Sequence, residues 1–430
     1  MPMRAIAGSA EQYALIAFDE QGHERKEGDV LLSDTFPVPD NGPTDIFVEI
    51  HGWMGDMPAA ITQYDRWFGA MAARTADRAA MASARPGGFR PVWIGLHWPS
   101  LPWGDEEKST AAAFALDTGD ALVDAYARRL GDRAGLRDLL RTIVGQAEID
   151  PQPLALPPEV ETAYREIDTL LTELPAGGVA APPGEDRAPF DPQQCYQQAQ
   201  GAFGLLDGGF GDLLMPLRQL SFWSMKKRAR LVGEGGFHSL LTRLSQRFGP
   251  GTRFHLMGHS FGCIAASAAV CGPANGSPCA VSSLALVQGA LSLWSYTGDI
   301  PYSPGGPGYF RRLLAAGVVR GPIVTTRSRY DRAVGTFYPI GAGIANQIDM
   351  GLELPRFGGL GSFGAQGLGG AAIDMPMPNA GEAYGFSPAR RILNLEASDF
   401  IRQGGGVSGA HSDIAGAEVA HAVWSAAIAS

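Results

Sequence analysis

Cysteine is scarce in this chain. Four occur in 430 residues, at Cys195, Cys263, Cys271 and Cys279. No two form a C-x-x-C pair, so the common structural zinc sites are excluded by spacing, and neither a metal nor an organic cofactor is expected. Cys271 and Cys279 could meet across a loop, but free buried thiols are the expectation in a chain without a secretory signal. Charge is also sparse. Charged residues make up 18% and the formal net charge is −10. A nucleic-acid binder needs a basic patch, so that class is set aside. Neutral and lipid ligands stay open, as does contact with a lipid–water interface. No apolar run is long enough to span a bilayer. Met1–Gly8 lacks the apolar core of a signal peptide or anchor, so a cytoplasmic enzyme is the expectation. Oligomeric state is not legible.

Glycine, by contrast, is abundant, and two of the 57 glycines frame the most informative motif. Gly258-His259-Ser260-Phe261-Gly262 follows the apolar run Phe254-His255-Leu256-Met257 and precedes the small-residue stretch Cys263–Val270. Strand, five-residue turn and helix follow in order. The G-x-S-x-G spacing suits a sharp turn that projects the Ser260 hydroxyl over the end of a sheet. The glycines keep side chains away where strand and helix nearly touch.

A serine hydroxyl needs a general base, and the base needs an acid. His411 lies in the polar loop Ser408-Gly409-Ala410-His411-Ser412-Asp413 and is the candidate base. His51 belongs to an HG turn, His259 to the Ser260 turn, and His97 and His255 to apparent strands. His23 and His238 precede the serine, and His421 falls in the final helix. Asp331, after the β-branched run Ile323–Thr326, is the candidate acid. Asp299 and Asp413 are its rivals.

The order Ser260, Asp331, His411, each after its own strand, resembles the α/β-hydrolase superfamily from about residue 13 onward. His51-Gly52-Trp53 after the strand Ile46–Ile50 adds to the likeness. The resemblance implies a mostly parallel central sheet flanked by helices and an esterase or lipase acting through an acyl-enzyme. It also implies an oxyanion hole made by the backbone N–H groups of Trp53 and Phe261. Phospholipase, thioesterase and polyester depolymerase chemistry share that machinery. A non-catalytic binding protein of the same fold is the alternative from another class. The implied partner is a small-molecule or lipid ester.

Apolar residues at 45% suit one sizeable core. Strands are expected at Tyr13–Phe18, Val30–Leu32, Ile46–Ile50, Val92–Leu96, Phe254–Met257, Leu284–Val287, Ile323–Thr326 and Ile392–Leu395. A helix is expected from about Ala59 to Ala84, and a closing helix over Ile414–Ile428. Residues 1–102 and 226–430 then form the two parts of the core. Residues 103–225 read as a helical lid inserted between strands, with apolar sets such as Leu136/Leu139/Leu140/Ile143 at helical spacing. Phe203, Leu213, Leu214 and Met215 are candidates for its wall over the site. A side-domain remote from the serine is the alternative. Residues 340–386 read as a Gly-rich packed loop.

Overall fold

The computed structural model describes residues 3–53, 56–100, 119–150, 152–172, 190–202, 212–315, 317–337, 354–388, 391–405 and 408–430. Its strands are β1 (Met3–Ala5), β2 (Gln12–Ala17), β3 (Lys26–Glu27), β4 (Val30–Leu31), β5 (Asp45–Ile50), β6 (Pro91–His97), β7 (Arg253–His259), β8 (Ser283–Val287), β9 (Ile323–Arg327), β10 (Ala372–Pro376) and β11 (Ile392–Glu396). Its helices are α1 (Leu32–Thr35), α2 (Met57–Ala73), α3 (Thr75–Ser83), α4 (Gly119–Leu130), α5 (Leu136–Ile149), α6 (Pro158–Thr172), α7 (Pro192–Ala202), α8 (Met215–Val232), α9 (His238–Phe248), α10 (Gly262–Cys271), α11 (Leu360–Phe363) and α12 (Ala417–Ile428).

Nine strands form one sheet in the order β1-β2-β6-β5-β7-β8-β9-β11-β10. All neighbours are parallel except β1 and β2. Side chains alternate across a strand, and the alternation builds two cores. Ile46, Val48 and Ile50 join Leu256, Leu286 and helices α8, α9 and α10 on one face. Phe47 joins Trp93, Met257, Val324 and helices α2, α3 and α12 on the other. This double cover explains the apolar run Leu284–Val287 of β8 and the apolar residues on both faces of β5.

Strand order reverses between β5 and β7, because β6 lies beyond β5 on one side and β8 beyond β7 on the other. Such a switch point opens a crevice at the carboxyl ends of the strands. The Ser260 turn and the His51-Gly52-Trp53 turn both leave the sheet there.

Helices α4 to α7 and the first half of α8 enclose a third core, with Leu140, Ile143, Tyr164, Ile167, Leu217 and Leu220. Helix α8 then runs on into the main core through Phe222, Met225 and Ala229. The expected boundary at 225 therefore falls inside one helix, because α8 has an apolar stripe for each core.

Two other expectations change. The single helix Ala59–Ala84 breaks at Arg74, whose backbone (φ −81°, ψ 69°) leaves the helical region. Part of the Gly-rich segment is a strand: β10 pairs with β11, Ile373 opposite Leu393. Its Pro376 is tolerated because β10 is an edge. Residues 340–353 lie outside the described residues. Cys271 and Cys279 are free, like the other two cysteines. Among the described residues no helix is long and apolar enough to cross a membrane.

Candidate active site

Strand β7 ends at His259 and helix α10 begins at Gly262, leaving two residues to reverse the chain. Ser260 takes up the reversal with φ at +56°, a left-handed conformation rare outside glycine. Such strain costs about 1–3 kcal/mol and persists only where the surroundings enforce it. Here the Ser260 amide bonds to the Val287 carbonyl at 3.1 Å, and the Ser260 carbonyl accepts from Ala290 at 3.2 Å. The glycines are there for space. A Cβ on Gly258 would lie 2.5 Å from the Gly262 carbonyl oxygen, and one on Gly262 would lie 2.1 Å from that of Ile50. A Cβ on Gly52 would lie 2.7 Å from the Ser260 Cβ, so the HG turn packs directly against the serine.

His411 and Asp331 meet. His411 Nδ1–H donates to Asp331 Oδ2 at 2.8 Å, with the carboxylate fully buried. The same oxygen accepts from Gln288 Nε2 at 2.7 Å, and Oδ1 accepts from the Val334 amide at 3.0 Å. The rivals are committed elsewhere. Asp299 caps a turn through the Gly305 amide at 2.8 Å, and Asp413 accepts from the Arg402 and Gln403 amides at 2.9 and 2.7 Å. The Ala410 amide bonds to the Tyr330 carbonyl at 2.9 Å, which seats the His411 loop beside Asp331. Among the described residues no hydrogen bond joins Ser260 Oγ to His411. Such bonds are often long in a free enzyme and tighten on substrate binding.

The amides of Trp53 and Phe261 have no acceptor among the described residues. They belong to the two turns that abut through Gly52 and Ser260. The HG turn is itself well held. His51 Nδ1–H donates to the Gly52 carbonyl at 2.8 Å, while its Nε2 accepts from the Trp98 amide at 3.3 Å. That pattern requires the neutral ring. Burial, with His97 and His259 nearby, holds His51 at about 3. Burial likewise holds His97 at about 4 and His259 at about 3.

Two further Ser–His–Asp arrays occur among the described residues, and chemistry separates them from the first. Ser283 Oγ lies 2.8 Å from His255 Nδ1, and His255 Nε2 lies 3.0 Å from Asp45 Oδ1. Ser283 and Asp45 open their strands, at the amino-terminal end of the sheet opposite the crevice, and none of the three is more than 3% exposed. Burial pushes Asp45 up, but its bonds with His255 and Arg85 outweigh this and hold it at about 2. Ser425 Oγ lies 3.5 Å from His421 Nε2. That nitrogen already donates to the Glu382 carbonyl at 2.8 Å, while Nδ1 faces Asp77 at 2.8 Å. No lone pair is left to take a proton from Ser425. Both arrays are cross-links between elements. Only Ser260 combines a strained turn, unpaired amides and a position at the switch point.

No protein-family model, curated protein or solved structure matches this chain.

The aromatic packing against the two turns comes from α8. Phe222 packs against Phe261 (ring centroids 5.0 Å) and Trp53 (5.6 Å). Of the four residues expected there from the sequence, two have described side chains. Leu213 and Leu214 pack in or against the insertion's own core. Phe203 and the Met215 side chain lie outside the described residues. The insertion thus reaches the site through the end of its last helix. Gln288 was also not expected. The signal was there only in part: a polar residue directly after an apolar strand. Its backbone, at φ +48°, is a second left-handed non-glycine position in the site. Among the described residues no cluster of three or more His, Cys, Asp or Glu could hold a metal ion.

Proposed function

We propose that this chain is a serine hydrolase of the α/β-hydrolase fold that cleaves carboxylic esters. One observation carries the reading: a strained Ser260 stands at the switch point where His411, held on a buried Asp331, is docked. In the proposed reaction His411 Nε2 takes the Ser260 proton as Oγ bonds to the ester carbonyl carbon. The Trp53 and Phe261 amides receive the oxyanion. Such a donor is worth about 3–4 kcal/mol of barrier. The alcohol leaves with the proton from His411. Water then gives a proton to His411 and attacks the acyl-enzyme, and His411 returns that proton to Ser260 Oγ as the acyl–Oγ bond breaks and the acid leaves. Asp331, held by Gln288 and Val334, keeps the base oriented and stabilises the imidazolium.

The Phe222, Trp53 and Phe261 rings favour an apolar acyl group, so esterase or lipase is the proposed class and a small-molecule or lipid ester the proposed partner. Four free thiols suit a reducing compartment, and a cytoplasmic location is part of the proposal. A second reading, a binding protein on the same fold, draws on the missing Ser260–His411 hydrogen bond. Fluorophosphonate labelling decides between them. Stoichiometric adduct mapped to Ser260, and abolished in Ser260→Ala, is the expected result. A folded wild-type chain that stays unlabelled would overturn the hydrolase reading.

A further inference from the structure

His259 immediately precedes the strained serine, and no step of the proposed reaction uses it. Its side chain is buried, and its Nε2–H donates to the main-chain carbonyl of His411 at 2.8 Å. The two imidazole rings lie 4.7 Å apart and are tilted by 40°. On the other side of the ring, buried Nδ1 has no hydrogen-bond partner among the described residues. A Cβ on Gly52 would stand 3.3 Å from that nitrogen. One ring therefore touches the serine turn, the base loop and the HG turn together.

The base loop needs such a tether. His411 is carried between β11 and α12, and the described stretches 397–405 and 408–416 hold no helix or strand. Gly404 and Gly409 stand at φ +149° and +59°. Asp331 fixes the direction of the His411 ring through Nδ1, but that bond alone does not set how far the ring stands from β7. A bond from the residue beside Ser260 to the His411 backbone does.

We propose that His259 is a positioning residue whose Nε2–H ties the His411 loop to the serine turn and sets the reach from the base to Ser260. The proposal rests on reading Ser260 as the nucleophile. A carbonyl accepts only from a donor, so the working form of the ring carries its proton on Nε2. Burial keeps the ring uncharged, at about 3. A neutral ring places no cation beside the histidine that must accept a proton.

The experiment compares wild type, His259→Leu and His259→Gln in the full chain. Glutamine puts an N–H donor at nearly the reach of histidine Nε2; leucine does not. Fluorophosphonate labelling rate, p-nitrophenyl ester kcat and KM, and amide exchange at Ala410 and Asp413 are measured. Expected for His259→Leu is a loss of about tenfold or more in labelling rate and kcat, with KM within about threefold of wild type. Exchange at the two amides should quicken. Expected for His259→Gln is recovery of both. A merely structural role would slow both variants alike. Wild-type labelling rates in His259→Leu, or no rescue by His259→Gln when both are folded, would overturn the tether. An unlabelled wild type defeats the hydrolase reading separately. The tether is then decided by exchange, and unchanged Ala410 and Asp413 in His259→Leu overturn it.

Discussion

Glu49 is the most exacting test of the core beneath the site. It lies in β5 and is 1% exposed, and neither carboxyl oxygen has a hydrogen-bond partner among the described residues. Strand alternation puts it on the face of Phe47, in the layer of Tyr64, Trp67 and Trp93. Burial pushes its pKa well above the ordinary 4.5. The folded chain therefore holds a proton that the unfolded chain releases above that ordinary value. Stability falls as pH rises through this window, by about 1.4 kcal/mol for each unit. Glu49→Gln removes the proton linkage while keeping the shape. Urea unfolding of both chains at pH 5, 6, 7 and 8 measures it. The difference in stability should tilt toward the variant as pH rises, by up to about 1.4 kcal/mol per unit. A constant offset at pH 5 is immaterial, since the glutamine amide is buried without a partner too. Parallel pH curves for the two chains would refute the reasoning, because they would mean that Glu49 is ionised in the fold.

The remaining expectations can be taken together. Asp331→Asn and His411→Ala should each lower turnover by about three orders of magnitude or more, as members of one unit; a near-silent Asp331→Asn, read from ester kcat, would remove Asp331 from the acid role. Gln288→Leu should lower kcat by about tenfold with KM little changed, because Asp331 Oδ2 loses its second donor; an unchanged kcat in a folded variant would leave Gln288 a purely structural residue. Phe222→Ala should reduce turnover of long-chain esters more than of acetate in a p-nitrophenyl ester series, since the ring lies against Trp53 and Phe261; equal losses across chain lengths would place the acyl group elsewhere. Acidification from pH 7 to 5.5 should destabilise the chain. His51 and His259, held at about 3, and His97, held at about 4, refuse protons that the unfolded chain accepts below 6.5. Their combined loss is about 4 kcal/mol. His255, also lowered by burial, adds to it and Glu49 opposes it. Urea midpoints check the fall; a rising midpoint would contradict it.

Much of the scaffold was legible before the structure. Leu284–Val287 is apolar on both faces, and Ile46–Ile50 nearly so, which only a doubly covered strand needs. Glycines at 258 and 262 announce a place where strand and helix touch, since any side chain there meets backbone. These are local properties, so neighbouring residues suffice to reveal them. The strand β10 was hidden because Gly-rich flanks and Pro376 mask a five-residue run whose partner, β11, is distant along the chain.

The pairing of His411 with Asp331 could be argued from order alone, but its exclusiveness could not. Ser283–His255–Asp45 and Ser425–His421–Asp77 use the same residue types. Which array sits at the switch point, which histidine keeps a free nitrogen, and which serine is strained are set by contacts across tens or hundreds of residues. The same holds for Gln288 on Asp331 and Phe222 on Trp53. The sequence by itself determined the strands, the turn and the candidate residues, because backbone preference and periodicity are local. Only the tertiary structure decided which of them share a site, because hydrogen bonds form between atoms adjacent in space, whatever their separation along the chain.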